Sequence, residues 1–227
     1  MSQDQIHVII PAAGMGRRMK SYGPKPLIKI GNCTIIKNQI NLLQTYIPNT
    51  NIVLVCGFKA EILMNETPQE IIKVENERYE ETNVVRSIGI GLRAIGKCSK
   101  LIIVYGDLVF NSETLKNIEF KESNIIVTNQ GMGDEEVGCI IDKKNRITNL
   151  MYDLPNKWGQ IAIFTNKELS LLKQLCWDKK NNSKFGFEII NQIIDRGGTF
   201  KCIQNKNIKI VDIDSSKDIQ KAKEILL

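Results

Sequence analysis

Residues 8–27 read VIIPAAGMGRRMKSYGPKPL. The apolar run Ile6–Pro11 is the length of a buried strand. It empties into a loop of Ala12, Ala13, Gly14, Met15 and Gly16, followed by Arg17, Arg18 and then Lys25. Small residues let backbone N–H groups approach a polyphosphate closely, and Arg and Lys side chains offset its charge. Other readings fit less well. A dinucleotide fingerprint wants G-x-G-x-x-G, but Met19 stands where its third Gly belongs. The acidic ribose ligand expected ~20 residues on is absent too, since Gln5 to Ala60 holds no acidic residue. A Walker loop wants G-x-x-x-x-G-K-[ST], and no such string exists. A plain tight turn with solvated charges would not require Arg17, Arg18, Lys20, Lys25, Lys29, Lys37 and Lys59 without one carboxylate among them.

That cluster accounts for the charge of the whole chain. The 227 residues carry 31 Lys+Arg and 25 Asp+Glu, a net of +6. Outside residues 5–60 the balance is 24 basic to 25 acidic, so the excess is one local patch. A nucleic-acid surface would spread its cations over a face and interleave them with aromatics. Residues 5–60 contain only Tyr22, Tyr46 and Phe58, and no nucleic-acid partner is expected. Hydrophobic residues make up 42% and charged residues 25%, an ordinary globular composition. No apolar run approaches the ~20 residues of a membrane span, and the opening MSQDQIH is no secretory signal, so no membrane association is expected. Cys33, Cys56, Cys98, Cys139, Cys176 and Cys202 are scattered, with His7 the sole histidine. That argues against a zinc site or disulfide framework and for a reducing cytoplasm.

Outward from the loop, strand-like and helix-like segments alternate. Residues 34–47 place Ile36, Ile40, Leu43 and Ile47 on one helical face. Asn51–Cys56 and Leu101–Tyr105 are continuous apolar runs closed by Gly57 and Gly106-Asp107, as buried parallel strands are. A helix over 83–96 lies between them. This rhythm predicts an α/β fold with a mostly parallel central sheet and helices on both faces. Beyond about residue 120, strands are expected at 124–129, 137–141, 146–151, 159–164, 200–204 and 208–213. Helices are expected at 166–177, 186–196 and 216–226, the last after the N-cap candidates Ser215 and Ser216. No linker or repeat divides the chain.

With these residues in view, the sequence resembles the nucleotidyltransferases that join an NTP to a phosphorylated small molecule, the sugar-phosphate and phosphocholine enzymes of GT-A-like, Rossmann-like three-layer fold. The match is carried by Gly14-Met15-Gly16-Arg17-Arg18-Met19 with Pro24-Lys25-Pro26-Leu27. Val55 to Glu61, Tyr105-Gly106-Asp107 and Val211 to Asp218 follow in the order the family requires. The resemblance implies one domain over 1–227, with a nucleotide-binding half to about 120 and a smaller, antiparallel acceptor-binding half after it. It implies that Ala12, Ala13, Gly14, Met15, Gly16 and Gly106 wrap the triphosphate, and that Arg17 and Lys25 stabilise charge at the α-phosphate and on leaving pyrophosphate. Asp107 and Asp214 would hold Mg²⁺, whose hard charge suits carboxylate oxygens. Asp212 shares the face of Asp214 by period two and competes for that role, and helix capping competes as an explanation of Asp214.

Asn76 to Asn83 with Ser87 resembles the N-x-x-Y-x-x-T-N-N-x-x-S run of phosphocholine-type cytidylyltransferases, with Val84 replacing the second Asn of the adjacent pair and Arg86 preceding Ser87. By that likeness Asn83 and Ser87 read the base and CTP is the donor, although Thr82 or Asn83 could equally cap the 83–96 helix. For the phosphorylated acceptor, Tyr152, Asp153, Trp158 and Glu188 are the candidates, since aromatics with carboxylates can cage a quaternary ammonium or bind sugar hydroxyls. Packing is the competing account of Trp158. Sugar-1-phosphate transfer from UTP, dTTP or GTP is the alternative function. A GT-A glycosyltransferase is a remoter one, because Gly106-Asp107-Leu108-Val109 lacks D-x-D. A homodimer is compatible with such a chain.

Overall fold

The computed structural model describes residues 5–16, 23–116, 118–128, 133 and 136–226. Strand β1 (Ile6–Ala12) leads through a 3-10 turn at Lys25–Leu27 into the hairpin β2 (Lys29–Ile30) and β3 (Cys33–Thr34). Then come α1 (Ile35–Tyr46), β4 (Thr50–Cys56), α2 (Ala60–Glu66), β5 (Ile72–Glu75), α3 (Val84–Ile95) and β6 (Lys100–Val104). The second half runs β7 (Leu108–Phe110), α4 (Glu113–Lys116), β8 (Asn124–Val127), β9 (Val137–Ile141), β10 (Arg146–Tyr152) and β11 (Trp158–Thr165). It closes with α5 (Asn166–Trp177), α6 (Gly186–Asp195), β12 (Phe200–Gln204), β13 (Ile210–Asp212) and α7 (Ser216–Leu226).

Nine strands form one mixed sheet in the order β5-β4-β1-β6-β11-β8-β12-β10-β9. The strands β5, β4, β1 and β6 are parallel, with Val8 level with Ile52 on one side and Ile102 on the other. β11 enters antiparallel between β6 and β8, and β10 pairs antiparallel with both β12 and β9, while β8 and β12 run parallel. The second half is thus the more antiparallel one.

Period-two alternation explains why the central strands read as unbroken apolar runs: both faces are covered. Val8, Ile10, Ile52, Leu54, Ile102 and Val104 meet Ile36, Ile40 and Leu43 of α1 on one face. Ile9, Val53, Val55, Leu101 and Ile103 meet Val85, Ile88 and Leu92 of α3, and then α5 and α6, on the other. Each such side chain contributes about 1.5–3 kcal/mol by leaving water. The layering is helix, sheet, helix.

The C-terminal strand departs from the main sheet. β13 pairs antiparallel with β7, Asp212 opposite Leu108 and Ile210 opposite Phe110, and Ala222 of α7 packs against Val109, Val211 and Ile213. This small ribbon ties the end of the chain to the turn after β6. The elements missing from the sequence expectation (the β2–β3 hairpin, α2, β5, β7 and α4) span seven residues or fewer, too short for periodicity to register. Among the described residues, no helix is long and apolar enough to cross a membrane.

Candidate active site

The site lies at the carboxyl ends of the parallel strands, where open α/β sheets bind ligands. The end of β1 is stitched to both neighbours. Gly106 N–H donates to Pro11 O at 3.1 Å, and Phe58 N–H donates to Ala13 O at 3.0 Å. A Cβ on Gly106 would fall 2.8 Å from Ala12 Cβ, so a side chain there would force β6 away from β1. Past this seam the loop turns at Gly16, whose φ of +54° a residue with a side chain rarely adopts. The stem of Lys25 runs directly beneath Gly16. Arg17 falls outside the described residues.

Lys25 reaches two carboxylates far away in sequence. Its Nζ donates to Asp107 Oδ2 at 3.1 Å and to Asp214 Oδ1 at 2.6 Å. Each aspartate is held from behind. Gln39 Nε2 donates to the carbonyls of Tyr105 (2.9 Å) and Leu108 (2.7 Å), clamping the turn that carries Asp107. Ile213 N–H donates to Asp107 O at 3.1 Å. Asp218 accepts from the N–H groups of Asp214 (3.3 Å) and Ser215 (2.8 Å) and from Ser215 Oγ (2.8 Å). So the cap of α7 is Asp218, and the Asp214 carboxylate is turned toward Lys25.

Asp212 joins this group. Its Oδ2 accepts from Gln160 Nε2 at 2.7 Å, and its Oδ1 is buried with no hydrogen-bond partner among the described residues. Burial, with Asp107 and Asp214 nearby, pushes the Asp212 carboxyl up to about 8. Burial would lower the Lys25 ammonium, but Asp107, Asp212 and Asp214 together outweigh it and raise it above the usual lysine range.

Two clefts meet here. The first, about 310 Å³, is lined by Ala12, Ala13, Gly14, Gly16, Lys25, Gly106 and Asp107, and also by Asn76, Tyr79, Thr82, Asn83 and Ser87. Met15 is not among its lining residues. Asn83 Oδ1 caps α3 by accepting from Val84 N–H at 2.8 Å, so this residue both caps the helix and faces the cleft. The second cleft, about 490 Å³, is lined by Tyr152, Trp158, Phe187, Asp212, Asp214 and Asp218 among others. Tyr105, Gln160 and Phe185 border both.

The second cleft is aromatic on one side. Trp158 packs edge-on against Tyr105 at 5.8 Å, Tyr152 against Phe187 at 5.4 Å, and Phe185 stacks on Phe187 at 5.9 Å. Trp158 is 95% buried yet borders the cleft, and its indole N–H lacks a partner among the described residues. Two acceptor candidates are not brought in. Glu188 accepts from Phe185 N–H at 2.7 Å and pairs with Lys184, so its carboxylate serves as the cap of α6. Asp153 sits in a left-handed turn after β10 (φ 62°), exposed and outside the cleft lining. Lys157 lines this cleft and is paired there with Glu136.

Gln160, Tyr105 and Phe185 went unassigned in the sequence. Gln160 lies in a register shift of β11 with φ 55°, and no residue-type signal marks such a bulge. Tyr105 stood in the sequence as the end of an apolar strand, and Phe185 belongs to no motif.

A glycine loop beside a lysine, with carboxylates facing a second cleft, suits a triphosphate on one side and its acceptor on the other. The family model for the MobA-like NTP transferase domain matches residues 8–183. The chain belongs to this family. Among solved structures, this NTP transferase superposes on the CTP:phosphocholine cytidylyltransferase LicC of Streptococcus pneumoniae with a TM-score of 0.79 at 17% identity, covering 98% of this chain and 100% of that one. The inositol-1-phosphate CTP transferase of T. maritima gives 0.77 at 20% identity, covering 99% and 98%. At such identities the likeness is one of fold. Of curated relatives, the bifunctional protein GlmU of Buchnera aphidicola subsp. Acyrthosiphon pisum (strain Tuc7) is 26% identical over 242 residues, covering 99% of this chain and 52% of the relative. GlmU of Thermosipho africanus (strain TCF52B) is 34% identical over 127 residues, covering 54% and 27%. The chain spans about half the length of the Buchnera relative it matches end to end.

Proposed function

We propose that this nucleotidyltransferase is a cytidylyltransferase that transfers CMP from CTP to a small phosphate monoester and releases pyrophosphate. The observation that carries the reading is the Lys25 ammonium held between Asp107 and Asp214 where the two clefts join. The first cleft takes CTP, its triphosphate along Gly14, Gly16 and Lys25, with Arg17 expected beside them, and its base toward Asn83 and Ser87. The second takes the acceptor, with Tyr152 and Trp158 on its aromatic side. One domain serves both, its nucleotide half extending to about residue 120.

An oxygen of the acceptor phosphate attacks the α-phosphorus in line. The new O–P bond forms as the bond to the β-phosphate oxygen breaks, and pyrophosphate departs with that electron pair. A phosphate monoester is already a competent nucleophile, so no covalent enzyme intermediate and no histidine base are needed. The chain's task is to position both substrates and to set positive charge where negative charge develops. Lys25 supplies that charge, on a stem braced by Gly16. Asp107, Asp212 and Asp214 keep it cationic. Tyr105 and Gln160, bordering both clefts, frame the passage between them.

Enzymes of this family are generally divalent-metal dependent. Mg²⁺ takes hard carboxylate oxygens, and Asp107 and Asp214 would supply them; among the described residues no three ligating side chains are grouped to hold an ion, so phosphate oxygens of the nucleotide would complete its shell. When bound, the ion would neutralise phosphate oxygens. The cytoplasm, where CTP and Mg²⁺ are available, is the compartment this chemistry implies.

Release of pyrophosphate from CTP, UTP, dTTP, GTP or ATP, each offered with phosphocholine and a set of sugar phosphates, with and without Mg²⁺, tests the reading. No turnover with any pair in folded protein would sink it. The alignment with GlmU along 99% of the chain favours a second reading, a sugar 1-phosphate as acceptor; the same screen separates the two.

A further inference from the structure

We propose that Asn76 is a specificity-determining residue: its locked amide makes the Ser87 hydroxyl a hydrogen-bond donor toward the first cleft, so that the cleft wall selects a base with two adjacent acceptors. The proposal rests on the cytidylyltransferase reading above and adds the residue that sets the choice of base.

Protons decide the orientation. The Thr82 hydroxyl gives its single proton to Arg78 O at 2.6 Å. Its oxygen can therefore only accept from Asn76, 3.1 Å away, and must face the amide nitrogen. The second proton of that NH₂ goes to Ser87 Oγ at 3.2 Å. Turning the amide over would set its oxygen against the Thr82 lone pairs and strand both amino protons. Asn76 Oδ1 is buried without a partner among the described residues, so the acceptors on Thr82 and Ser87 hold the amide by its nitrogen alone. The backbone is fixed as well: Asn76 N–H donates to Cys56 O at 2.8 Å, and its carbonyl accepts from Tyr79 N–H at 3.2 Å.

Ser87 therefore accepts from Asn76 and keeps its own proton, which no acceptor among the described residues takes. Asn83 supplies a second donor. Its Oδ1 is engaged by Val84 N–H, which turns the NH₂ away from the helix end, and that NH₂ makes no hydrogen bond among the described residues. Asn83 and Ser87 are four residues apart, one helical turn, and both line the first cleft. The wall presents two donors side by side. Cytosine offers two adjacent acceptors, N3 and O2. Uracil and thymine carry a hydrogen on N3, and guanine carries donors on N1 and N2. A base that sets a donor against Ser87 leaves both groups unpaired in a desolvated site, which is how polar sites reject near-isosteres.

Asn76→Asp tests this with almost no change of shape. Ionised, the introduced carboxyl has only acceptors, so Ser87 turns its proton inward and shows the cleft a lone pair; because burial at this position raises a carboxyl, the ratio is read at the alkaline end of the range in which the protein stays folded. That lone pair beside the Asn83 NH₂ matches N3–H and O2 of uracil. The readouts are kcat/KM for CTP and UTP by pyrophosphate release, and Kd for each by calorimetry without acceptor. The CTP:UTP ratio is expected to fall about 10- to 100-fold in both. A purely structural Asn76 would weaken both nucleotides equally; an unchanged ratio overturns the proposal and leaves the cytidylyl reading standing. A native chain that prefers another base overturns both. If Asn76→Asp does not fold, as judged by its thermal melt, Ser87→Ala carries the test: CTP must lose about tenfold or more relative to UTP, and an unchanged ratio overturns the proposal.

Discussion

Lys25→Met removes the ammonium and keeps most of the stem. The Lys25 side chain is 13% exposed, against 27% for Asp107 and 47% for Asp214. Stripping one partner from a fully buried pair costs about 3–5 kcal/mol, and exposed pairs are worth about 0–1 kcal/mol. The mixed exposure here puts the loss at about 1–3 kcal/mol. At about 2–4 °C per kcal/mol for a chain of this size, the melting temperature should drop by about 2–12 °C. The catalytic effect should be larger. Losing one preorganised charge donor costs about 10²–10³ in turnover, read as kcat for pyrophosphate release at saturating CTP and acceptor. The same variant frees the carboxylates for another cation, so Mg²⁺ without nucleotide should raise its melting temperature more than that of the native protein. Turnover within threefold of native, in folded protein, would refute the assignment of Lys25 to the reacting phosphates. An equal Mg²⁺ response in both proteins would refute the assignment of Mg²⁺ to Asp107 and Asp214.

Asp107→Asn should cut turnover by at least about 10² while moving the melting temperature little, because the Gln39 clamp and the Ile213 hydrogen bond act on the backbone of that turn. Asp212→Asn probes pH. The folded carboxyl is raised from 3.8 to about 8, so the native chain binds the extra proton between those values and its stability falls as pH rises through that window. Melts of Asp212→Asn should slope less between about pH 4 and 8, and an unchanged slope would refute the burial argument. Glu188→Gln should lower the melting temperature through the weakened α6 cap, by the equivalent of about 0.5–2 kcal/mol, and leave the KM for acceptor unchanged; a raised KM would return Glu188 to the acceptor cleft.

The element pattern was legible because hydrophobic periodicity is written locally. The expected strand Asn51–Cys56 is β4 (Thr50–Cys56), the helix at 166–177 is α5 (Asn166–Trp177), and the closing helix after Ser215 is α7. The split of Val8 and Ile10 from Ile9 onto opposite faces follows from period two alone. Candidate residues fared according to how local their signal was. Gly14, Gly16 and Lys25 lie in one short loop, and the structure keeps them together. Glu188 and Asp153 looked like ligands by residue type, but a carboxylate three residues into a helix answers first to its own backbone N–H groups. Gln160 was silent in the sequence, since its place depends on a bulge created by pairing with β8.

The sequence by itself determined that a short strand ends in a small-residue loop inside an acid-free segment, and that the basic excess of the chain lies in that segment. The partners of Lys25 were decided by the tertiary structure. Asp107 and Asp214 stand 82 and 189 residues further along the chain, and nothing in local spacing brings such positions together. The meeting depends on β13 leaving the main sheet to pair with β7 beside the end of β6, a choice among strand partners made by packing over the whole core.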